Sequence, residues 1–245
     1  MKKLLVACSL ALVANGVIAA EAAEPEKHYI TPIEIAFPAS PLQVPCTVPY
    51  SAWRVWGVRL DLVYGRSQHV YGIDAGVAGM LYGDMYGIQG TALNWVNDDM
   101  YGIQAGGLGN LVRGDVAGIQ LGGFLNNDYG AVAGVQAALC NFDSVFYGLQ
   151  AGILNWVGGM SYGVQAGVAN VDSNEFLGIS CGLVNIVSRA HGLQVGFVNE
   201  IEESGDGVQI GVFNGAKEFK GVQVGLFNVI QNAPLPIMAV VNVNF

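Results

Sequence analysis

Apolar and polar residues alternate in short bursts along the chain, and the bursts recur. A clear copy reads Gly221-Val222-Gln223-Val224-Gly225-Leu226-Phe227-Asn228. Leading glycines at 57, 72, 87, 102, 118, 134, 148, 163, 178, 192, 207 and 221 mark twelve copies at steps of 14, 15 or 16 residues, the first two degenerate. Counted from the glycine, position two is aliphatic throughout, position four is apolar or Gly, and position six is nearly always apolar. This period-two alternation predicts a strand with one dry face in every copy. Position three is Gln in nine copies: Gln89, Gln104, Gln120, Gln136, Gln150, Gln165, Gln194, Gln209 and Gln223. Ten copies close on Asn: Asn94, Asn110, Asn126, Asn141, Asn155, Asn170, Asn185, Asn199, Asn214 and Asn228. Charges collect in the other half of the period, at 97–99, 172–175 and 200–206, which predicts solvated turns there.

All eight prolines lie outside the array, between Pro25 and Pro49 or at Pro234 and Pro236. Proline cannot donate to a central ladder, so a Pro-free sheet is expected from about 51 to 233. The organisation this predicts is an N-terminal segment and cap over 23–56, with a strand at 33–37. Tandem β repeats follow over 57–233, and a terminal capping strand, reading as a thirteenth copy, over 234–245.

An all-β chain of this kind can coil in parallel or run up and down. A barrel needs an outward apolar band about 25 Å tall, whereas positions two to six cover only about 10 Å once the strand tilt is allowed for. Its lipid face would also carry about ten Asn side chains, each costly unless paired. In a parallel stack the same Asn residues lie about 4.8 Å apart and can bond to one another. The expected fold is therefore a parallel β-solenoid of about twelve coils of about 15 residues with N- and C-terminal caps. The alternative is an outer-membrane antiparallel β-barrel of about 14 strands, a small channel. In the expected solenoid, positions two, four and six point inward, Asn turns the corner, and glycines at one and five allow close coil contact. Trp56, Tyr71, Tyr86, Tyr101, Tyr147 and Tyr162, each just before a glycine, should stack in register. Twelve coils would make a rod roughly 58 Å long.

The repeat resembles the tandem glycine-x-glutamine-x-glycine-x-x-asparagine surface repeats of bacterial envelope proteins of uncharacterised function, over about 57–245. The resemblance implies an exported, surface-associated protein and supplies no catalytic residues.

Composition narrows the function classes. The 245 residues are 52% hydrophobic and 12% charged, the reverse of a disordered chain. A net charge of -9 argues against nucleic acid as a partner. Residues 1–22 read as a secretory signal peptide: Lys2 and Lys3, an apolar core from Leu4 to Val13, and Ala20-Glu21-Ala22 before the cut. Cys8 follows Leu5-Val6-Ala7 too close to the start for a lipoprotein anchor. Cys46, Cys140 and Cys181 read as small buried hydrophobes, without disulfide or zinc spacing.

His28, His69 and His191 have no Ser or Cys nearby in a nucleophile setting, and an enzyme is not expected. No catalytic, cofactor-binding or metal-binding residue is predicted. Arg59, Asp61 and Asp74 stand where later copies have Gln or Gly, which predicts charge pairing between adjacent coils. Arg113-Gly114-Asp115 reads as a turn rather than an adhesion tripeptide. Glu200, Glu202, Glu203 and Asp206 lack calcium-loop spacing. The expectation is an exported protein of the cell surface, outer membrane or periplasm, with a structural or binding role. Its partner would be a protein or glycan, with membrane association open.

Overall fold

The computed structural model describes residues 29–36, 43–44 and 53–244. Residues 1–22, expected above to be a signal peptide, with Cys8, and His28 and Cys46, lie outside the described residues. Within them every regular element is a strand. The first eight are β1 (Tyr29–Ala36), β2 (Gln43–Val44), β3 (Trp53–Asp61), β4 (Gly65–Ser67), β5 (His69–Gly76), β6 (Ala78–Leu81), β7 (Met85–Val96) and β8 (Met100–Val112). The rest are β9 (Val116–Gly122), β10 (Leu125–Ala137), β11 (Cys140–Val157), β12 (Met160–Cys181), β13 (Val184–Val195), β14 (Val198–Ile210), β15 (Phe213–Ile230) and β16 (Ile237–Asn244).

Each coil pairs in parallel with the next, repeat position upon repeat position. Gly72 lies on Gly87 and Tyr71 on Tyr86; Gln150 lies on Gln165 and Asn155 on Asn170. The fold is a parallel β-solenoid of about 11 turns, and its sheet is open, with β2 and β16 at its ends. The barrel alternative is excluded, because the coils from β3 to β15 all pair in parallel and the sheet does not close.

One expectation is reversed. Positions two, four and six face outward, and the Gln and Asn rows face in. Ile88 and Leu149 are about half exposed (49% and 53%), while Gln89, Gln104 and Asn155 are fully buried. The alternation is the one read from the sequence with its sign inverted. The apolar core comes instead from two other rows. One stands two residues before each glycine, as Val55, Val70, Met85, Met100, Val116, Val132 and Phe146. The other stands two residues after each Asn, as Val96, Val112, Val157, Val187 and Ile201. Both rows lie beside the Gln row, since Gln120 donates to Asp128 in the second row and Gln165 to Ser161 in the first.

Two glycine positions make the tight stack possible. The leading glycine has positive φ in every copy, and a Cβ at Gly134 (φ 146°) would lie 1.9 Å from the carbonyl oxygen of Gly118 below it. No L side chain fits there without parting the coils. At position five, a Cβ on Gly167 would stand 2.8 Å from Asn155 Nδ2 and 2.9 Å from Asn170 Oδ1, so Gly leaves room for the amide row.

The ends and corners refine the prediction further. The N-terminal strand, β1, stacks in parallel on β3. The terminal copy does not continue the stack: β16 turns back antiparallel on β15, with Val240 at a positive φ of 71° near a register shift. The segments at 172–175 and 200–206 are not turns; they lie within strands β12 and β14, and Asp172 is buried.

Candidate functional site

The interior is built from amides that satisfy one another. Asn110 donates from Nδ2 to Asn126 Oδ1 at 2.8 Å and to the Leu121 carbonyl at 2.9 Å. The pattern repeats through Asn126, Asn141, Asn155, Asn170, Asn185, Asn199 and Asn214, each donating to the next Asn at 2.8–2.9 Å and to a position-four carbonyl of the next coil. Both amide hydrogens are used, and position-four carbonyls such as Ala151 and Val195 accept the Asn amide in addition to a backbone N–H. The Gln row runs the other way: Gln104 donates to Gln89, Gln120 to Gln104, Gln136 to Gln120 and Gln150 to Gln136, at 2.8–3.0 Å. The two ladders thus carry opposed amide dipoles along one axis. At Ser180 the Gln row breaks; that hydroxyl donates to Asn185 Oδ1 at 2.8 Å, and Gln165 Oε1 is left buried without a partner.

At the N-terminal end ions replace the amides. Arg59 donates from Nε and Nη2 to Asp74 at 2.8 and 2.5 Å and lies 3.2 Å from Asp61, all fully buried. Gln89 then donates to Asp74 Oδ2 at 2.8 Å, joining the Gln ladder to the ion cluster. The paired charges fall on adjacent coils. Gly65 and Gly79 occupy the Asn row here, and a Cβ on Gly79 would lie 2.7 Å from Arg59 Nη2. The guanidinium fills the space that Asn takes elsewhere. Burial, with Asp74 and Glu34 nearby, pushes the Asp61 carboxyl up to about 8 against the pull of Arg59.

Three further acids belong to the interior: Asp172, expected in a solvated turn, and Asp128 and Asp143, which the sequence reading does not single out. Asp128, Asp143 and Asp172 sit two residues after Asn, in the row other coils fill with Val or Ile, and all are buried. Gln120 and Gln136 donate to Asp128, Gln136 and Gln150 to Asp143, and Gln165 to Asp172 at 3.0 Å. Burial raises Asp128 and Asp172 to about 7, and raises Asp143 well above the usual carboxylate range. The signal that could have found them was their common register position.

The exterior carries the one extended, uniform surface. Row two presents Ile73, Ile88, Ile103, Ile119, Val135, Leu149 and Ile179, all exposed. A second ridge runs through Leu108, Phe124, Leu139, Ile153, Val168, Leu183 and Phe197, all exposed. Between them row four is small over much of its length, as Gly90, Ala105, Ala137, Ala151 and Ala166. Along one margin the tyrosines stack as expected, Tyr71 on Tyr86 at 5.1 Å, Tyr86 on Tyr101 at 4.8 Å, and Tyr147 on Tyr162 at 5.2 Å between ring centroids, whereas Trp56 is tilted by 51° against Tyr71.

The remaining candidates are local. His69 accepts from the Asp84 amide at Nδ1, 2.8 Å. His191 contacts Asp206 through Nδ1 on the surface, with Glu175 3.9 Å from Nε2. Arg113-Gly114-Asp115 forms a bend in which Asp115 accepts the Ala131 amide at 2.8 Å and Arg113 lies over the Trp95 ring. Glu202 and Glu203 are exposed along β14. Cys140 and Cys181 are free thiols, half-buried rather than buried. Among the described residues no group of three or more His, Cys, Asp or Glu is placed to hold a metal ion.

Site and fold together define a class: a parallel β-solenoid with an amide-laddered interior and an aliphatic exterior face. Comparison with family models, with curated proteins and with solved structures returns no match.

Proposed function

We propose that the chain is an exported bacterial envelope protein with a non-catalytic structural or binding role, working through the outward face of its repeats. The observation that carries the reading is the exterior itself: two aliphatic ridges run along the stack, with a row of small residues between them over much of its length, on a frame laddered by buried amides. Contiguous apolar surface of this extent marks an interaction face, since a monomer gains nothing by exposing it. The sequence of residues 1–22 and the resemblance to envelope surface repeats support export. The Asn and Gln rows of the interior already serve the stack, which leaves the exterior to meet a partner.

Cell fractionation with N-terminal sequencing tests the reading. The expected result is a chain beginning at Ala23 and recovered with the envelope. Leu149→Asp with Ile153→Asp should release it into the soluble fraction without unfolding it. A chain retained in the cytosol with Met1 intact, or an envelope association indifferent to the double variant, would overturn it.

A further inference from the structure

We infer that the partner of the apolar face is a second copy of the same chain, the two sheets packing face to face. The inference rests on the reading of that face as an interaction surface and names its occupant.

Shape supplies the first argument. Row two and the Leu108–Phe197 row are ridges of large aliphatic and aromatic side chains, and the row between them is Gly or Ala at 90 and 105 and again at 137, 151 and 166, with exposed Leu121 dividing the trough and Val195, Ile210 and Val224 ending it. Ridge spacing along a strand is fixed by the backbone, so an identical sheet offset by one row places its own ridge in this trough. The same patch then serves both partners, as a two-fold interface requires. A sheet with one dry face ordinarily buries it against another sheet at about 10 Å. In this molecule the layer on the inner side is occupied by the ladders, and the outer side has no covering layer among the described residues.

Size supplies the second. Rows two to six span about 14 Å along the strand and about 11 turns at about 4.8 Å span about 53 Å, a face of roughly 740 Å² before side-chain relief is counted. A standard stable interface buries about 800 Å² per partner.

Charge supplies the third. An amphipathic surface that lies on lipid flanks its apolar stripe with Lys and Arg. This chain carries 10 Lys and Arg against 19 Asp and Glu. Its row before the glycine ends in His191, Asp206 and Lys220, a mixed set that can pair with another copy. A trough between ridges is also of no use against fluid acyl chains.

Sedimentation equilibrium of the purified chain provides the test. The expected species has twice the monomer mass and dissociates on dilution. Leu149→Asp with Ile153→Asp should weaken the dimer at least tenfold with an unchanged melting temperature. Ala151→Arg, which removes no apolar group and only fills the trough, should do the same. Glu203→Lys, off the face, should leave it intact. A monomer at every concentration up to about 100 µM would overturn the inference. So would a dimer indifferent to both face variants, an open series of larger species, or a monomer that co-sediments with phosphatidylcholine vesicles. A monomeric chain still found in the envelope with its leader removed would sink the pairing alone. A dimeric chain retained in the cytosol would sink the export reading alone.

Discussion

The first two coils and the coils after Asn94 solve the same problem with different chemistry. Both must fill a narrow interior with polar groups that need partners there. The later coils do it with neutral amides, each donating and accepting along the stack, so every copy can be the same. The first coils use Arg59, Asp61 and Asp74, and ions do not repeat. A guanidinium needs two carboxylates and more room than an amide, so Gly65 and Gly79 replace Asn around it. The amide solution can be extended indefinitely, whereas the ionic one is confined to a place. The ion cluster accordingly lies beside β1 and ends the Gln ladder at Asp74.

Breaking the cluster should have the largest effect. Arg59→Gln leaves Asp61 and Asp74 buried without their cation and should cost about 3–5 kcal/mol in urea unfolding. Adding Asp61→Gly, Asp74→Gln and Gly79→Asn, which converts the region to the amide design, should recover most of it. Gly79→Asn alone restores the repeat residue in the wrong surroundings. Its Cβ meets Arg59 Nη2 at 2.7 Å, so it should destabilise by about 2–3 kcal/mol although it improves the match to the repeat.

The third prediction concerns pH and sharpens the contrast between neutral and charged interiors. Asp128 and Asp172 are raised to about 7 and Asp61 to about 8, chiefly by burial. Between pH about 4 and these values the native state keeps protons that the unfolded chain has lost, so stability falls as pH rises through that window. Melting should be highest near pH 4–5 and fall by several degrees by pH 8. Asp172→Asn, neutral at all pH values, should flatten the profile. The smallest effect is a gain. Ser180→Gln closes the gap in the Gln row, gives Gln165 Oε1 its donor and should stabilise by about 1 kcal/mol in the same urea experiment.

Much of this was legible in the sequence, and the failure is specific. Parallel stacking could be read from Tyr86 and Tyr101, or Asn155 and Asn170, because in-register coils place like on like. The need for Gly at positions one and five was also readable. The orientation of the strand was not: a period of two gives two faces without saying which is inside. Aliphatic Ile88 against polar Gln89 argues for Ile88 inward only if buried amides are unpaired, and here each finds its partner in the next coil. Two signals pointed the other way. Val55, Val70, Met85 and Met100 offered a second apolar row, and Asp206 and Lys220 stand on the same face as the aliphatics. Asp172 reads as a loop charge because 172–175 reads as a turn, and Asp128 and Asp143 do not stand out without the register that aligns them with it.

The central claim is that the amides form the dry interior of a parallel stack. It is tested most directly by NMR of the side-chain amide protons of Gln150 and Asn155. The account predicts slow hydrogen exchange for both, with short-range contacts from Gln150 Hε2 to Gln136 and from Asn155 Hδ2 to Asn170. Exchange at the rate of free amides, or an Asn155 side chain remote from Asn170, would contradict it.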